Sequence, residues 1–259
     1  MPVINVGTVV WADLHTPDLE QAKSFYGQLL GWEFATDPKT PSYVLAQLNG
    51  RNVAGIAQQG PESPIPTAWS TYFATEDADA FAKAATSAGA QLVLAPTDVT
   101  DAGRKAHFVD PTGAHFAVWQ PKKRHGAEIM GEPGSMTFHE VYTQQPDATR
   151  AFYARVMGLE AKKVVFTAEG FTGLDYWTMH SDDLTVGGVG PKLPPGQPAR
   201  WHTYFAAEDV DDCAKRIGEL GGSLLMSAFS TPYGKMLIAT DPAGAIFALI
   251  HPTKPFGQW

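Results

Sequence analysis

Residues 7–15, GTVVWADLH, alternate between apolar and polar and are rich in β-formers, which predicts a strand. The period then lengthens. Leu19, Ala22, Phe25, Tyr26 and Leu29 fall at helical spacing, so Asp18 reads as the cap of a helix reaching about Leu30, with Gly31 as its stop. Two strand-like runs follow, 43–48 and 52–57, and the Asn49-Gly50 between them is a hairpin signal. Residues 69–75 predict another strand, and 77–88 a second helix ending at Gly89. Strands are then expected over 91–94, 105–109 and 115–119, with an Asp110-Pro111-Thr112-Gly113 turn joining the last two. The unit read in this way is βαβββ, present twice in this half of the chain.

The second half repeats the first. WSTYFATED at 69–77 returns as WHTYFAAED at 201–209. DLEQAKSFYGQLLGW at 18–32 is echoed by DATRAFYARVMGLE at 147–160, and GRKAHFVDPTGAHFAVWQP at 103–121 by GKMLIATDPAGAIFALIHP at 234–252. Three matched blocks in the same order identify a tandem duplication. We expect a first domain over 1–122, a linker over 123–134 and a second domain over 135–259, the division falling in the polar, Gly- and Pro-rich PKKRHGAEIMGEPGS at 121–135. The fold class is α+β, with four βαβββ modules whose concave sheets enclose clefts suited to a small ligand.

The composition narrows the choice of partner. With 259 residues, 44% hydrophobic and 18% charged, the chain is globular, and its net charge of −8 disfavours nucleic acid and anionic membranes. The longest basic run, Lys122-Lys123-Arg124, reads as part of a solvated linker. A single cysteine, Cys213, fits the reducing cytoplasm, and MPVINVGTVVWADLH lacks the pattern of a secretory leader. Cys213 sits in a helical pattern and is read as packing, not as a nucleophile.

The FY helix ending in glycine, the YFATEDAD strand-to-helix run and DPTGAHFAV together make the chain resemble the vicinal oxygen chelate superfamily. That superfamily includes glyoxalase I, bleomycin-resistance proteins, extradiol dioxygenases and fosfomycin-resistance enzymes, and the resemblance covers nearly the whole chain twice. It implies two tandem glyoxalase/bleomycin-resistance-like domains resembling a covalently joined dimer, and hence a monomer or a weak homodimer. By the same analogy each cleft would combine strands of opposite halves: 9–15 with 201–207 and 246–250, and 138–144 with 69–75 and 115–119. The resemblance also implies three ligand positions for a divalent metal acting as a Lewis acid. Counted from Asp18 and Asp147 they fall on Trp11 or Glu140, on Ser70 or His202, and on Ala117 or Ala248. These replacements argue against a family-type metal and against glyoxalase I activity, so no cofactor is expected. The rival constellation is Asp13 and His15, which share a strand face with Trp11, joined by His202 around iron or zinc; His115 near Glu140 is a weaker pair.

The positions in phase with those strands are Trp11, Asp13, His15, His202, Tyr204, Ile246 and Ile250 for one cleft. For the other they are Glu140, Tyr142, Gln144, Ser70, Tyr72, His115 and Trp119. The opposite phase, Val10, Leu14, Phe73, Phe205, Phe116 and Phe247, is apolar and should lie under the helices. Aromatic walls with a few polar groups describe a pocket for a small aromatic or polycyclic metabolite or antibiotic, bound without the usual metal. The alternative is a lyase, isomerase or oxygenase with Glu140 or His202 as acid/base. Gly55 and Gly188 stand inside strand patterns, a sign of close approach by other groups.

Overall fold

The computed structural model describes residues 5–38 and 40–258. The first module consists of β1 (Val9–Thr16), α1 (Leu19–Leu30), β2 (Glu33–Thr36), β3 (Tyr43–Leu48) and β4 (Arg51–Gln58), and the second of β5 (Ala68–Ala74), α2 (Ala78–Ser87), β6 (Gln91–Val99), β7 (Gly103–Val109) and β8 (His115–Pro121). The third comprises β9 (Met136–Tyr142), α3 (Pro146–Met157), β10 (Glu160–Val164), β11 (Tyr176–Ser181) and β12 (Leu184–Val189), and the fourth β13 (Arg200–Ala206), α4 (Val210–Glu219), β14 (Ser223–Thr231), β15 (Gly234–Thr240) and β16 (Ile246–Pro252). Two eight-stranded sheets result, ordered β2-β3-β4-β1-β5-β8-β7-β6 and β10-β11-β12-β9-β13-β16-β15-β14. None of the described helices is long and apolar enough to cross a membrane.

Each sheet is therefore built within one half, which corrects the expected exchange of strands between halves. β1 hydrogen-bonds antiparallel to β5, with Trp11 opposite Tyr72 and Asp13 opposite Ser70, and β9 pairs likewise with β13. What crosses between the halves is the helical layer. α1 and the back of its sheet share a core with α4 (Phe25, Tyr26 and Trp69 with Phe205, Ile217 and Phe247), and α2 shares another with α3 (Phe73, Phe81 and Phe116 with Phe152, Tyr153 and Trp201). The helices lie between the sheets, and the two front faces turn away from each other, each with its own cleft.

The apolar phase packs on the helices as expected, except for Val10. A bulge between Val9 and Trp11 puts Val9 on the helix side and turns Val10 to the front with Trp11 and Tyr72. The repeated motifs meet in a relay that crosses between the halves. Trp69 Nε1 donates to Tyr26 Oη at 2.9 Å, and Tyr26 donates to Asp241 of the second half's turn at 3.2 Å. Trp201 donates to Tyr153 at 2.8 Å, and Tyr153 to Asp110 of the first half at 3.1 Å. Tyr153→Phe removes one of these two links between the halves while keeping the ring, so urea denaturation should show a loss of about 1 kcal/mol; an unchanged midpoint would refute this account of the repeat.

The segment following β8 is packed, not free in solvent. Lys122 pairs with Asp98 and Lys123 with Asp101, while Arg124 folds back so that its carbonyl accepts from Trp119 Nε1 at 2.8 Å. Ala127 N–H donates to the carbonyl of Val10, and Ile129 is buried in the α1–α4 core.

Candidate functional site

Helix geometry fixes how the halves correspond. Gly31 and Gly158 both end their helices in the left-handed conformation (φ 74° and 70°). The residue matching the Asp18 cap is therefore Gln145; Pro146 opens α3, and Asp147 lies inside its first turn. Counting from Asp147 consequently misplaced the first strand by two residues. Trp11 corresponds to Phe138, and Asp13 corresponds to Glu140: Asp13 lies opposite Ser70 and Gly55, and Glu140 opposite His202 and Gly188. Each cleft therefore has a buried carboxylate at the same place.

Each carboxylate sits among tyrosine hydroxyls, two at Asp13 and three at Glu140. Tyr72 Oη donates to Asp13 Oδ2 at 2.9 Å and Tyr43 Oη reaches the same oxygen at 3.5 Å. Tyr204 Oη donates to Glu140 Oε2 at 2.5 Å, Tyr142 and Tyr204 hydroxyls are 3.2 Å apart, and Tyr176 also hydrogen-bonds Glu140. The glycines make room for this arrangement. A Cβ on Gly55 would lie 2.0 Å from Tyr43 Oη, and one on Gly188 2.3 Å from Tyr176 Oη. Burial, reinforced by the neighbouring carboxylates, raises all of these tyrosines well above their ordinary range, so they stay protonated and act as donors.

The two carboxylates are tuned apart. Burial pushes Glu140 up, only partly offset by its tyrosine donors. Burial also opposes ionisation of Asp13, but His15, with Lys105 and His107 behind it, outweighs burial and holds Asp13 well below the usual range. His15 Nε2 lies 3.0 Å from Asp13 Oδ1. His107 Nε2 is 3.0 Å from Tyr72 Oη, and burial lowers this imidazole to about 3, so it is neutral and its N–H donates to the phenol oxygen.

The C-terminal cleft is a cavity of about 300 Å³ walled by Phe138, Phe166, Phe171, Tyr176, Phe229 and Tyr233, with Met226, Met236, Ile238 and Ile250 beside them. Glu140 is its one ionisable carboxyl group, and Tyr142 and Tyr204 line it too. The N-terminal cleft, about 270 Å³, is lined by Trp11, Asp13, Tyr43, Tyr72 and Trp119, and by Lys105, Arg124 and Asp37.

The remaining residues singled out from the sequence lie elsewhere. Ser70 is buried on β5 opposite Asp13 and is not part of a cavity wall. His202 is buried below Tyr142, rings 4.7 Å apart, with Nε2 accepting from Arg200 Nε at 2.9 Å; burial lowers it to about 3. It belongs to the second sheet and Asp13 and His15 to the first, so the proposed iron or zinc set is not assembled. Nor does His115 meet Glu140: it stands half-buried opposite Val109 in the first sheet. Gln144 donates to the Gln197 carbonyl at 3.0 Å, outside the cavity. The sequence reading missed Tyr43, Tyr176, Lys105, His107 and Arg124. For the tyrosines a signal was present in Gly55 and Gly188, whose missing side chains they overlie.

The family's three ligand positions fall within one half as Trp11, Ser70 and Ala117, and as Phe138, His202 and Ala248. One imidazole among indole, phenyl, hydroxyl and methyl groups does not fit a divalent metal, and no group of three His, Cys, Asp or Glu among the described residues is placed to hold one.

Comparison with known proteins follows the same division. The model of the Glyoxalase/Bleomycin resistance protein/Dioxygenase superfamily matches residues 8–118 and 134–249. A Mycobacterium tuberculosis protein, CFP32, for which a glyoxylase assignment has been put forward, is 36% identical over 252 residues, 95% of each chain. The anthracycline biosynthesis protein DnrV of Streptomyces peucetius is 34% identical over 261 residues, 95% of this chain and 93% of that one. Among solved structures, the Mn(II)-bound glyoxalase from Novosphingobium aromaticivorans superimposes with TM-score 0.66 at 15% identity, over 99% of this chain and 86% of that one. The 2,3-dioxygenase LapB from Pseudomonas sp. KL28 gives 0.66 at 14% identity, over 99% and 96%. At such identities the structural likeness speaks for the fold alone.

Proposed function

Because this chain belongs to the glyoxalase/bleomycin resistance protein/dioxygenase superfamily, we propose that it binds a flat, oxygenated polycyclic aromatic compound in its C-terminal cleft, with protein hydroxyls in place of a metal. The observation that carries this reading is the aromatic cavity of about 300 Å³ with a polar anchor in its wall, the buried Glu140 hydrogen-bonded by Tyr204. Stacked rings supply the contact area, and a carboxyl group beside phenols offers both acceptors and donors to a ligand's hydroxyl or carbonyl. The name of the relative DnrV, an anthracycline biosynthesis protein, agrees with a fused-ring ligand.

Calorimetric titration with dihydroxyanthraquinone tests this reading. Tyr204→Phe and Glu140→Gln should each weaken binding about 10-fold, the equivalent of one lost hydrogen bond of ~1.4 kcal/mol. Absence of binding, or binding indifferent to both changes, would overturn it.

A second reading rests on the raised Glu140 and its 2.5 Å contact with Tyr204. Such a pair is suited to acid–base work, in which Glu140 exchanges a proton at a carbon next to a ligand carbonyl. Deuterium uptake into a bound ketone, lost in Glu140→Gln, would separate the enzyme from the binder.

A further inference from the structure

The two clefts share a frame but differ at matched positions. Gly103 lies opposite Pro121 and Gly234 opposite Pro252, so β7–β8 and β15–β16 run in the same register. On that register Lys105, His107 and Trp119 stand where the C-terminal half has Met236, Ile238 and Ile250. The front wall of the first half is therefore charged and indole-bearing, where that of the second is aliphatic.

The segment after β8 adds a second cation. Arg124 N–H donates to the Ala102 carbonyl at 2.9 Å, and its own carbonyl accepts from Trp119 Nε1 at 2.8 Å. Gly126 then passes so close to β1 that a Cβ there would lie 2.4 Å from the Val10 carbonyl oxygen. This pinned backbone sets Arg124 in the cavity wall with Lys105. Asp13, the buried carboxylate of this wall, faces His15 Nε2 at 3.0 Å through Oδ1 and accepts from the tyrosines through Oδ2. The other carboxylate lining the cavity is Asp37, which is exposed at the rim. Lys105 and Arg124 thus stand as two cationic side chains in the cavity wall, beside Trp11, Trp119, Tyr43 and Tyr72.

We infer that the N-terminal cleft is a second ligand site, taking an aromatic carboxylate whose ring lies against the indoles and whose anionic group is held by Lys105 and Arg124. Guanidinium and ammonium groups at the edge of a desolvated aromatic slot favour such an anion over its neutral isostere. This site is independent of the ligand proposed for the C-terminal cleft.

Naphthoate, with the neutral naphthamide as control, is the probe. Calorimetry should show naphthoate binding at least 10-fold tighter than naphthamide. Lys105→Met and Arg124→Met should each weaken naphthoate about 10-fold while leaving naphthamide affinity unchanged. Tryptophan emission reports location, since Trp11 and Trp119 line this cleft and the C-terminal cleft has no tryptophan in its wall. Binding should change the emission in wild type and not in a Trp11→Phe, Trp119→Phe double variant. Tyr204→Phe and saturating dihydroxyanthraquinone should leave naphthoate affinity intact. No naphthoate binding, equal affinity for both probes, indifference to both cation changes, or loss of binding in Tyr204→Phe would overturn the inference. Failure of dihydroxyanthraquinone to bind, with naphthoate still bound, would count against the C-terminal reading alone.

Discussion

Between pH 8 and pH 5 the protein is expected to lose about 6 kcal/mol of folding stability through three histidines. His107, His139 and His202 are each lowered to about 3, with burial the principal cause. In the unfolded chain an imidazole takes up its proton near 6.5. The folded state keeps these rings neutral, so their contribution is fully present above pH 6.5. It falls as pH drops through that value, because the unfolded chain then binds protons the native state refuses. The slope is about 1.4 kcal/mol per pH unit for each ring, or about 2 kcal/mol each by pH 5. Against a typical total of about 5–15 kcal/mol, acid unfolding should set in between about pH 4 and 5. Glu140 and Asp241, both raised by burial, act in the opposite sense as pH falls toward the ordinary carboxylate range and soften the decline. Urea denaturation at pH 8, 6.5 and 5 measures the slope, and a curve that stays flat over this interval would show that the imidazoles are not held neutral. His139 is the cleanest single test. It lies between the sheets with Nδ1 3.3 Å from Thr71 Oγ1 and Nε2 buried without a hydrogen-bond partner among the described residues, so His139→Gln should remove about a third of the slope.

Trp69→Ala should cost about 3–5 kcal/mol, the usual range for emptying a large aromatic site in a core. Trp69 is 4% exposed and packs on Tyr26, Trp32 and Phe205 with ring centroids 5.3, 6.0 and 5.0 Å away, so the cavity would open at the meeting of both halves. Trp69→Phe keeps most of that contact and loses the Nε1 donor to Tyr26, a cost of about 1 kcal/mol. For a chain of this size the alanine variant should melt about 10 °C lower and the phenylalanine variant about 3 °C lower. Similar losses in the two would show that the hydrogen bond, not the packed volume, is what the tryptophan contributes.

The tandem duplication and the two faces of each strand were legible in the sequence because period-2 alternation and repeated motifs are local signals. The pairing of modules was not. β5 and β13 spell WSTYFA and WHTYFA, so either could lie beside β1 on pattern alone. Hydrogen bonding to the strand of the same half, reached through the short connection from Gln58 to Ala68, decides between them. The two-residue error over Glu140 has an equally local origin. Asp147 looks like a cap, yet α3 is opened by Pro146 after an uncapped Gln145, and only the common Phe-Tyr and Gly positions carry the correct register. Lys105 and His107 alternate with the buried Ala106 and Phe108 and were open to the same argument as β1. Phe166, Phe171 and Tyr233 sit in loops outside the matched blocks, where no periodicity marks which side chains return to the cleft.

The tyrosine of each half finds its acceptor in the turn of the other, Tyr26 at Asp241 and Tyr153 at Asp110. A polypeptide severed between the sheets would thus leave each fragment with an orphan phenol and an orphan carboxylate, and mixing the fragments should restore both. The first fragment alone owns Tyr26 and Asp110, so two copies of it could satisfy one another in a symmetric homodimer, the arrangement from which gene fusion would yield the present chain without breaking a single one of these bonds.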